Sequence, residues 1–355
     1  DVCSSDLDMA ELAIVGIGVI SNLGNDVDSI WHQLCSSEPI MVTDEAIKYE
    51  SVMTVAQRRR ANRYSDMTIY TAKNAFADSK LDKSGIDEYR IGTIFTTGYG
   101  PLVSNLKFAE SVASGDPDAC SPTVFSNTVS NTCVGYVCMN LGCKGVSTVI
   151  MGSNNIGYSQ MLIEKGDADY ILTGSVEEYC EELYDAFKTA SISKNINVKE
   201  GTVTFLVKDS SNKDGSKEYC RLVSSMELNI GDHPLMGQIG RNDIYSSLVS
   251  SLKKIKAEYN IDTVFTSNNG SYFDSIESYI FNETFGDQVT YVNNVKAMMG
   301  ETLGSAYNMN VLVGALCLKY GKLPYKLDNR ERELHTILVT GYDVSGNYIM
   351  GVYQK

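Results

Sequence analysis

Leu12 to Ile20 (LAIVGIGVI) is an apolar run with no polar alternation, the pattern of a strand covered on both faces, as in a parallel sheet packed between helices. Ile91 to Thr97 predicts a second buried strand, ending at Gly98 and Gly100. Between them, Ser65 or Asp66 is placed to cap a helix running to about Ser79, with Met67, Tyr70 and Phe76 on or near one face. Asn131 to Leu141 is apolar on most sides and predicts a buried helix. Thr148 to Met151 predicts a short strand that runs into Gly152, Ser153 and Asn154, followed by a helix to Lys165. Gly166 ends that helix, and Tyr170 to Thr173 is the next strand. Strand, polar turn and helix in quick succession predict a layered α/β protein.

From Lys208 to Lys217 (KDSSNKDGSK) the chain turns polar and reads as a flexible internal boundary. Beyond it the pattern restarts. Leu248, Leu252, Ile255 and Tyr259 mark one helix face, Thr263 to Thr266 a strand, and Ser275 to Phe285 another helix. An apolar helix from Leu303 to Tyr320 and closing strands at Thr336 to Thr340 and Tyr348 to Val352 complete the chain. The expected division is into similar halves, 9–210 and 218–355.

Composition narrows the function classes. A net charge of −14 argues against nucleic acid, whose phosphates demand a basic face. The basic cluster Arg58, Arg59, Arg60 and Arg63 reads first as a solvated helix start and second as a docking patch for an acidic partner. No apolar run approaches the roughly 18–20 residues that span a bilayer. Nine cysteines without a C-x-x-C pair suit reduced thiols in a cytoplasmic protein, and Cys133, Cys138 and Cys143 read as core rather than zinc ligands. Gly16 and Gly18 invite a dinucleotide-binding reading, but Ser21 stands where the third glycine belongs and no helix opens directly behind it. Asp1 to Leu7 (DVCSSDL) reads like the translated end of a sequencing adapter, so the natural start is expected at Met9 and residues 1–8 are set aside.

Several stretches in consistent order resemble β-ketoacyl-acyl-carrier-protein synthases, the condensing enzymes. Ala13 to Leu34 (AIVGIGVISNLGNDVDSIWHQL) resembles the family's opening strand, turn and first helix, and Arg59 to Asp82 its arginine-led helix. Lys144-Gly145, Gly166-Asp167-Ala168-Asp169 and Gly174-Ser175-Val176-Glu177 match landmarks around the nucleophile helix. Lys296 to Ala306 (KAMMGETLGSA) resembles the lysine-serine-x-x-glycine-histidine-x-x-glycine segment. The resemblance implies a thiolase-like five-layered αβαβα fold of two similar halves, dimerisation through the central region and an acyl tunnel reaching the interface.

Family enzymes acylate a cysteine at a helix N-terminus, where the dipole favours thiolate, and use two histidines in decarboxylation and oxyanion stabilisation. Here no cysteine lies between Cys143 and Cys180. Aligned from the left the nucleophile position is Asn154, from the right Val149, and helix geometry favours the turn Gly152, Ser153, Asn154. The first histidine position falls among Thr266, Ser267 and Asn269, and the second on Glu301. Lys296 is retained and is placed to pair with Glu301. His32, His233 and His335 lie outside these motifs. The loop after Phe187 (FKTASISKNINVKEG) is shorter than the family's, and its glycine-phenylalanine-glycine-glycine gate is matched only loosely by Gly341 to Gly346.

The resemblance therefore implies a non-catalytic partner subunit like a chain-length factor, which shapes the acyl tunnel of an active ketosynthase in fatty-acid, polyketide or aryl-polyene synthesis. Its expected partners are an active ketosynthase homologue in a heterodimer, or itself in a homodimer, together with an acyl carrier protein. Neither nucleic acid nor membrane is expected, and no cofactor or metal. The alternatives are an acyltransferase or hydrolase using Ser153 as nucleophile, with Glu301 the one replaced position bearing a titratable group, or an unorthodox β-ketoacyl synthase. The bland reading of Ser153 is a helix N-cap.

Overall fold

Along the first strand, side chains alternate between two separate cores. Leu12 and Ile14 enter one core, while Ala13 and Val15 enter another. Both faces are covered, which is why the run carries no polar residue. The computed structural model describes residues 10–40, 47–190, 196–231, 235, 242–328 and 333–355. Residues 1–9, which include the segment 1–8 expected to be foreign, and His233 lie outside the described residues.

The first half runs β1 (Leu12–Ile20), α1 (Val27–Cys35), α2 (Val55–Arg58), α3 (Arg63–Ser79), β2 (Ile91–Thr97), α4 (Leu102–Ala113), α5 (Pro122–Ser126), α6 (Thr132–Leu141), β3 (Ser147–Met151), α7 (Asn155–Glu164), β4 (Tyr170–Glu177), α8 (Glu181–Ala190) and β5 (Gly201–Asp209). The second runs β6 (Cys220–Asn229), α9 (Asn242–Glu258), β7 (Thr263–Phe265), α10 (Phe273–Thr284), β8 (Thr290–Val292), α11 (Val295–Met299), α12 (Ala306–Tyr320), β9 (Thr336–Tyr342) and β10 (Asn347–Gln354).

All ten strands form one sheet in the order β3-β2-β4-β5-β1-β6-β10-β9-β7-β8. Read outward from its centre, the second five strands repeat the order of the first five. In each half the fifth strand is antiparallel to both its neighbours, and the second, third and fourth pair in parallel. The halves join where Leu12–Ile14 of β1 meet Cys220–Leu222 of β6.

Three cores define the layers. α3 and α6 pack on the outer face of the first half-sheet, and α9 and α10 on that of the second. Between them α7 and α12 share a core with inward residues of both half-sheets: Val203 and Phe205 of β5, Ile337 and Val339 of β9, and Ile349 of β10. The result is helix, sheet, helix, sheet, helix. Every residue of α12 from Ala306 to Leu318 is buried, so this helix has no polar face to reveal its period.

Several expectations are corrected in detail. Asn62, not Ser65 or Asp66, caps α3: its side chain accepts from Ser65 N at 3.0 Å. Gly16 and Gly18 serve packing, since a Cβ on Gly18 would strike the main chain of α3 at Thr71 and Ala75. α6 buries only Cys133, Val134 and Val137, and Met139 is 71% exposed. The polar segment after β5 is pinned, because the buried Lys208 ammonium bonds Asp214 Oδ1 at 2.6 Å and Asn212 O at 2.7 Å, while Tyr170 OH donates to Asp214 Oδ2. Strands β5 and β6 on either side of it have no counterpart in the sequence reading.

Candidate functional site

β3 delivers the chain to the turn before α7. Val149 lies mid-strand opposite Phe95, so the turn consists of Gly152, Ser153 and Asn154. Gly152 has φ +151°, and a Cβ there would stand 2.9 Å from Asp343 Oδ2. Ser153 is fully buried, and its hydroxyl donates to the main-chain oxygen of Gly304 at 3.1 Å. That bond corrects the N-cap reading of Ser153: the cap residue is Asn154, and no side chain closes the cap. Asn154 turns to β6, donating to Glu227 Oε2 at 2.9 Å and accepting from Ser225 Oγ.

The other candidate positions split. Thr266 Oγ1 bonds Val292 O and Asn293 Oδ1, and Ser267 N donates to Glu277, so neither reaches the turn before α7 through a side chain. Asn269, Lys296 and Glu301 do converge. Asn269 Nδ2 donates to Glu301 Oε2 at 2.7 Å, and Lys296 Nζ donates to the same oxygen at 3.1 Å. The other carboxylate oxygen accepts from Leu303 N at 2.8 Å. Leu303 has φ +51°, a left-handed conformation unusual for leucine, and it is held there by its own burial and by this bond. The Glu301 main chain is clamped as well, its N–H to Asn197 O and its C=O to Lys199 N. The side-chain hydrogen bond of Ser153 to the 301–304 segment thus runs to the Gly304 carbonyl.

Tyr342 closes this cluster. Asn269 Nδ2 donates to its hydroxyl, Lys296 Nζ lies 4.8 Å from its ring centroid, and Phe273 meets the ring edge-on at 5.7 Å. Burial, with the Glu301 charge added, pushes the phenol well above its ordinary range, so it stays protonated.

Sequence reasoning named Glu177 as part of a landmark but gave no role to it or to the adjacent carboxylate of Glu178. Glu177 accepts from Thr97 Oγ1, Gly98 N and Tyr99 N, and Glu178 from Val103 N in the first turn of α4. Burial pushes both up to about 7 against those hydrogen bonds. The signal available was a pair of glutamates closing an apolar strand, β4. Among the described residues no group of histidine, cysteine or acidic side chains is arranged to hold a metal ion. No described helix is long and apolar enough to cross a membrane.

The repeated strand order and the helices buried between two half-sheets define an α/β protein of the thiolase fold. Among solved structures, the ishigamide ketosynthase/chain length factor superposes with a TM-score of 0.81 at 16% identity, covering 98% of this chain and 99% of that one. A type II polyketide ketosynthase in complex with its acyl-carrier protein gives 0.78 at 16% identity, covering 97% and 99%. A β-ketoacyl synthase from Burkholderia phymatum gives 0.78 at 16% identity, covering 98% and 100%. Residues 48–200 match the family model of the β-ketoacyl synthase N-terminal domain. The 3-oxoacyl-[acyl-carrier-protein] synthase 2 of Staphylococcus aureus strain N315 is 22% identical over 88% of this chain and 86% of its own length. That of Coxiella burnetii is 24% identical over 48% of this chain and 46% of its own. The chain thus shares the fold of the solved ketosynthases, and its residues 48–200 resemble the β-ketoacyl synthase N-terminal domain.

Proposed function

We propose that this chain is a non-catalytic, chain-length-factor-like partner subunit, with 9–210 and 218–355 as its two halves. The observation that carries the reading is the closed set formed by Asn269, Lys296 and Glu301. At the second-histidine position a carboxylate is consumed by a lysine, an amide and a backbone N–H. A negative charge there opposes the oxyanion that condensation would develop. Ser153 has a main-chain carbonyl as its side-chain partner, not a base, so nothing favours the serine-nucleophile alternative.

The surface supports a partner of the same fold. β3 is an edge strand whose side chains are all at least partly exposed. α6 contacts it, and Met139 of α6 and Met151 of β3 are exposed, as are Phe125 and Val129, while α4 and α5 bury no residue. An open strand edge flanked by apolar side chains is a template for pairing with another chain. An active ketosynthase seated there would supply the cysteine and histidines absent here, and this chain would wall its tunnel in a cytoplasmic pathway. Arg59 and Arg60 are exposed near the start of α3, whereas Arg58 and Arg63 are paired with Asp66 and Glu200. The exposed Arg59 and Arg60 suit an acidic carrier protein.

Co-expression with an active ketosynthase homologue, followed by size-exclusion chromatography and a malonyl-carrier-protein condensation assay, tests this. A 1:1 complex whose product length responds to substitutions in this chain is the expected result. A homodimer that acylates itself, with the label lost in Ser153→Ala, would sink the reading.

A further inference from the structure

The end of the sheet remote from the Lys296–Glu301 pair carries a cavity that the proposed function leaves unused. β5 begins at Gly201, whose oxygen accepts from Ser305 Oγ near that pair, and runs nine residues to Asp209, so about 27 Å of strand separates the two places. There the last turns of α3 and α12 and the loop joining β5 to β6 enclose about 400 Å³, the size of a small-molecule site. One wall offers hydrogen-bond acceptors. Asp78 accepts from Ile17 N at 2.9 Å and from Tyr219 OH at 2.8 Å, both through Oδ2, and Glu218 stands 3.6 Å from Arg221 Nε. The helix C-termini add carbonyls of the same polarity. Asp82 and Asp214 are already occupied, by Ser84 and by Lys208, Tyr170 and Ser216. Facing these acceptors are Lys80, Lys217 and Lys319, one from each enclosing segment. The Lys319 ammonium lies 4.0 Å from the centroid of the Tyr219 ring, which holds it in place without consuming its protons. Among the described residues none of the three is in an ion pair with a carboxylate. In a chain of net charge −14, three uncommitted cations around one cavity are out of keeping with the rest of the molecule.

We propose that this cavity binds a small phosphorylated polyol. The phosphate takes the three ammonium groups, and hydroxyl groups donate to Asp78 Oδ1 and Glu218. Each half of the lining rejects a simpler ligand: a bare anion brings no donors for the carboxylates, and a neutral sugar leaves the cations unanswered. The Lys208–Asp214 bond pins the loop that carries Lys217 and Glu218, so the cavity is formed before the ligand arrives. The site uses neither the Lys296–Glu301 pair nor the surface assigned to a partner, and it stands or falls independently of the partner-subunit reading.

The test is calorimetric titration of the purified chain, in whichever assembly it is isolated, with ribose 5-phosphate. Saturable binding with a Kd below about 1 mM is expected, with inorganic phosphate and ribose each at least about tenfold weaker. Replacing two of the cations together, Lys217→Met with Lys319→Met, should weaken ribose 5-phosphate at least about tenfold. Both side chains are exposed, so the double variant should keep its fold. A footprint on wild type needs no variant: ribose 5-phosphate should slow acetylation of Lys80, Lys217 and Lys319 by acetic anhydride and leave Lys253 and Lys254 on α9 unchanged. No saturable binding up to about 10 mM overturns the proposal. So does inorganic phosphate or ribose binding as tightly as the phosphorylated sugar, undiminished binding by the double variant, or acetylation of Lys217 and Lys319 at the same rate with and without the probe.

Discussion

Lys296 Nζ lies 3.1 Å from Glu301 Oε2, and both side chains are only 3% exposed. Two charges withdrawn from water need each other, since desolvation costs each ion several kcal/mol. The pair is therefore a structural commitment, closed off from water by the residues around it.

Breaking that pair from one side should be costly. Glu301→Ala strands the Lys296 ammonium and is expected to destabilise the fold by roughly 3–5 kcal/mol. Replacing both partners with apolar residues of similar volume, Lys296→Met with Glu301→Leu, should recover most of the loss. Urea unfolding of the single and double variants reads both. A single variant as stable as wild type would contradict the buried-pair account.

Glu177 makes stability depend on pH in a defined direction. Its folded-state value of about 7 lies above its ordinary 4.5. A carboxyl raised in this way favours the fold fully while it is protonated in both states, and that contribution fades as pH rises from about 4.5 through about 7. The shift corresponds to roughly 3 kcal/mol. Glu177→Gln should flatten this slope in melts between pH 5 and pH 8. Equal slopes in the two proteins would exclude Glu177 as the source.

The segment between β5 and β6 should resist proteolysis until its lock is removed. Lys208 is 2% exposed and Asp214 is its counter-ion, so Asp214→Ala leaves a buried cation unpaired and should cost about 3 kcal/mol. Limited proteolysis should cut within 210–217 in the variant and spare wild type. Cutting at equal rates would restore the flexible-boundary reading.

The open sheet edge offers a cleaner test of partnership than any buried residue. Met139 and Met151 are 71% and 52% exposed, so Met139→Asp and Met151→Asp should change the chain's own stability by only about 0.5 kcal/mol. Each should weaken association with the ketosynthase partner at least about tenfold, measured by analytical ultracentrifugation. Unchanged association would move the interface elsewhere.

How much was legible follows from how each residue meets its neighbours. β1 and β2 match the runs Leu12 to Ile20 and Ile91 to Thr97 because strands covered on both faces need unbroken apolar sequence. β6 was missed because most of its side chains are only half-buried, so Ser224, Ser225 and Glu227 interrupt the pattern. The cap of α3 shifted to Asn62 because serine, aspartate and asparagine compete for that role, and only geometry chooses among them. At the site, the motif spacing of Lys296 and Glu301 pointed to their contact, five residues apart. Tyr342, Glu177 and Glu178 carry no comparable local signature.

The sequence by itself determined the alternation of strands and helices, the buried runs, and the lack of any cysteine between Cys143 and Cys180, since these depend on residue type and short spacing. Tertiary structure alone decided that Ser153 meets a carbonyl, that Asn269 and Tyr342 close over Lys296 and Glu301, and that α4 and β3 are left uncovered. Those outcomes join residues up to about 150 positions apart, and such pairings are fixed by how layers pack rather than by any local preference of the chain.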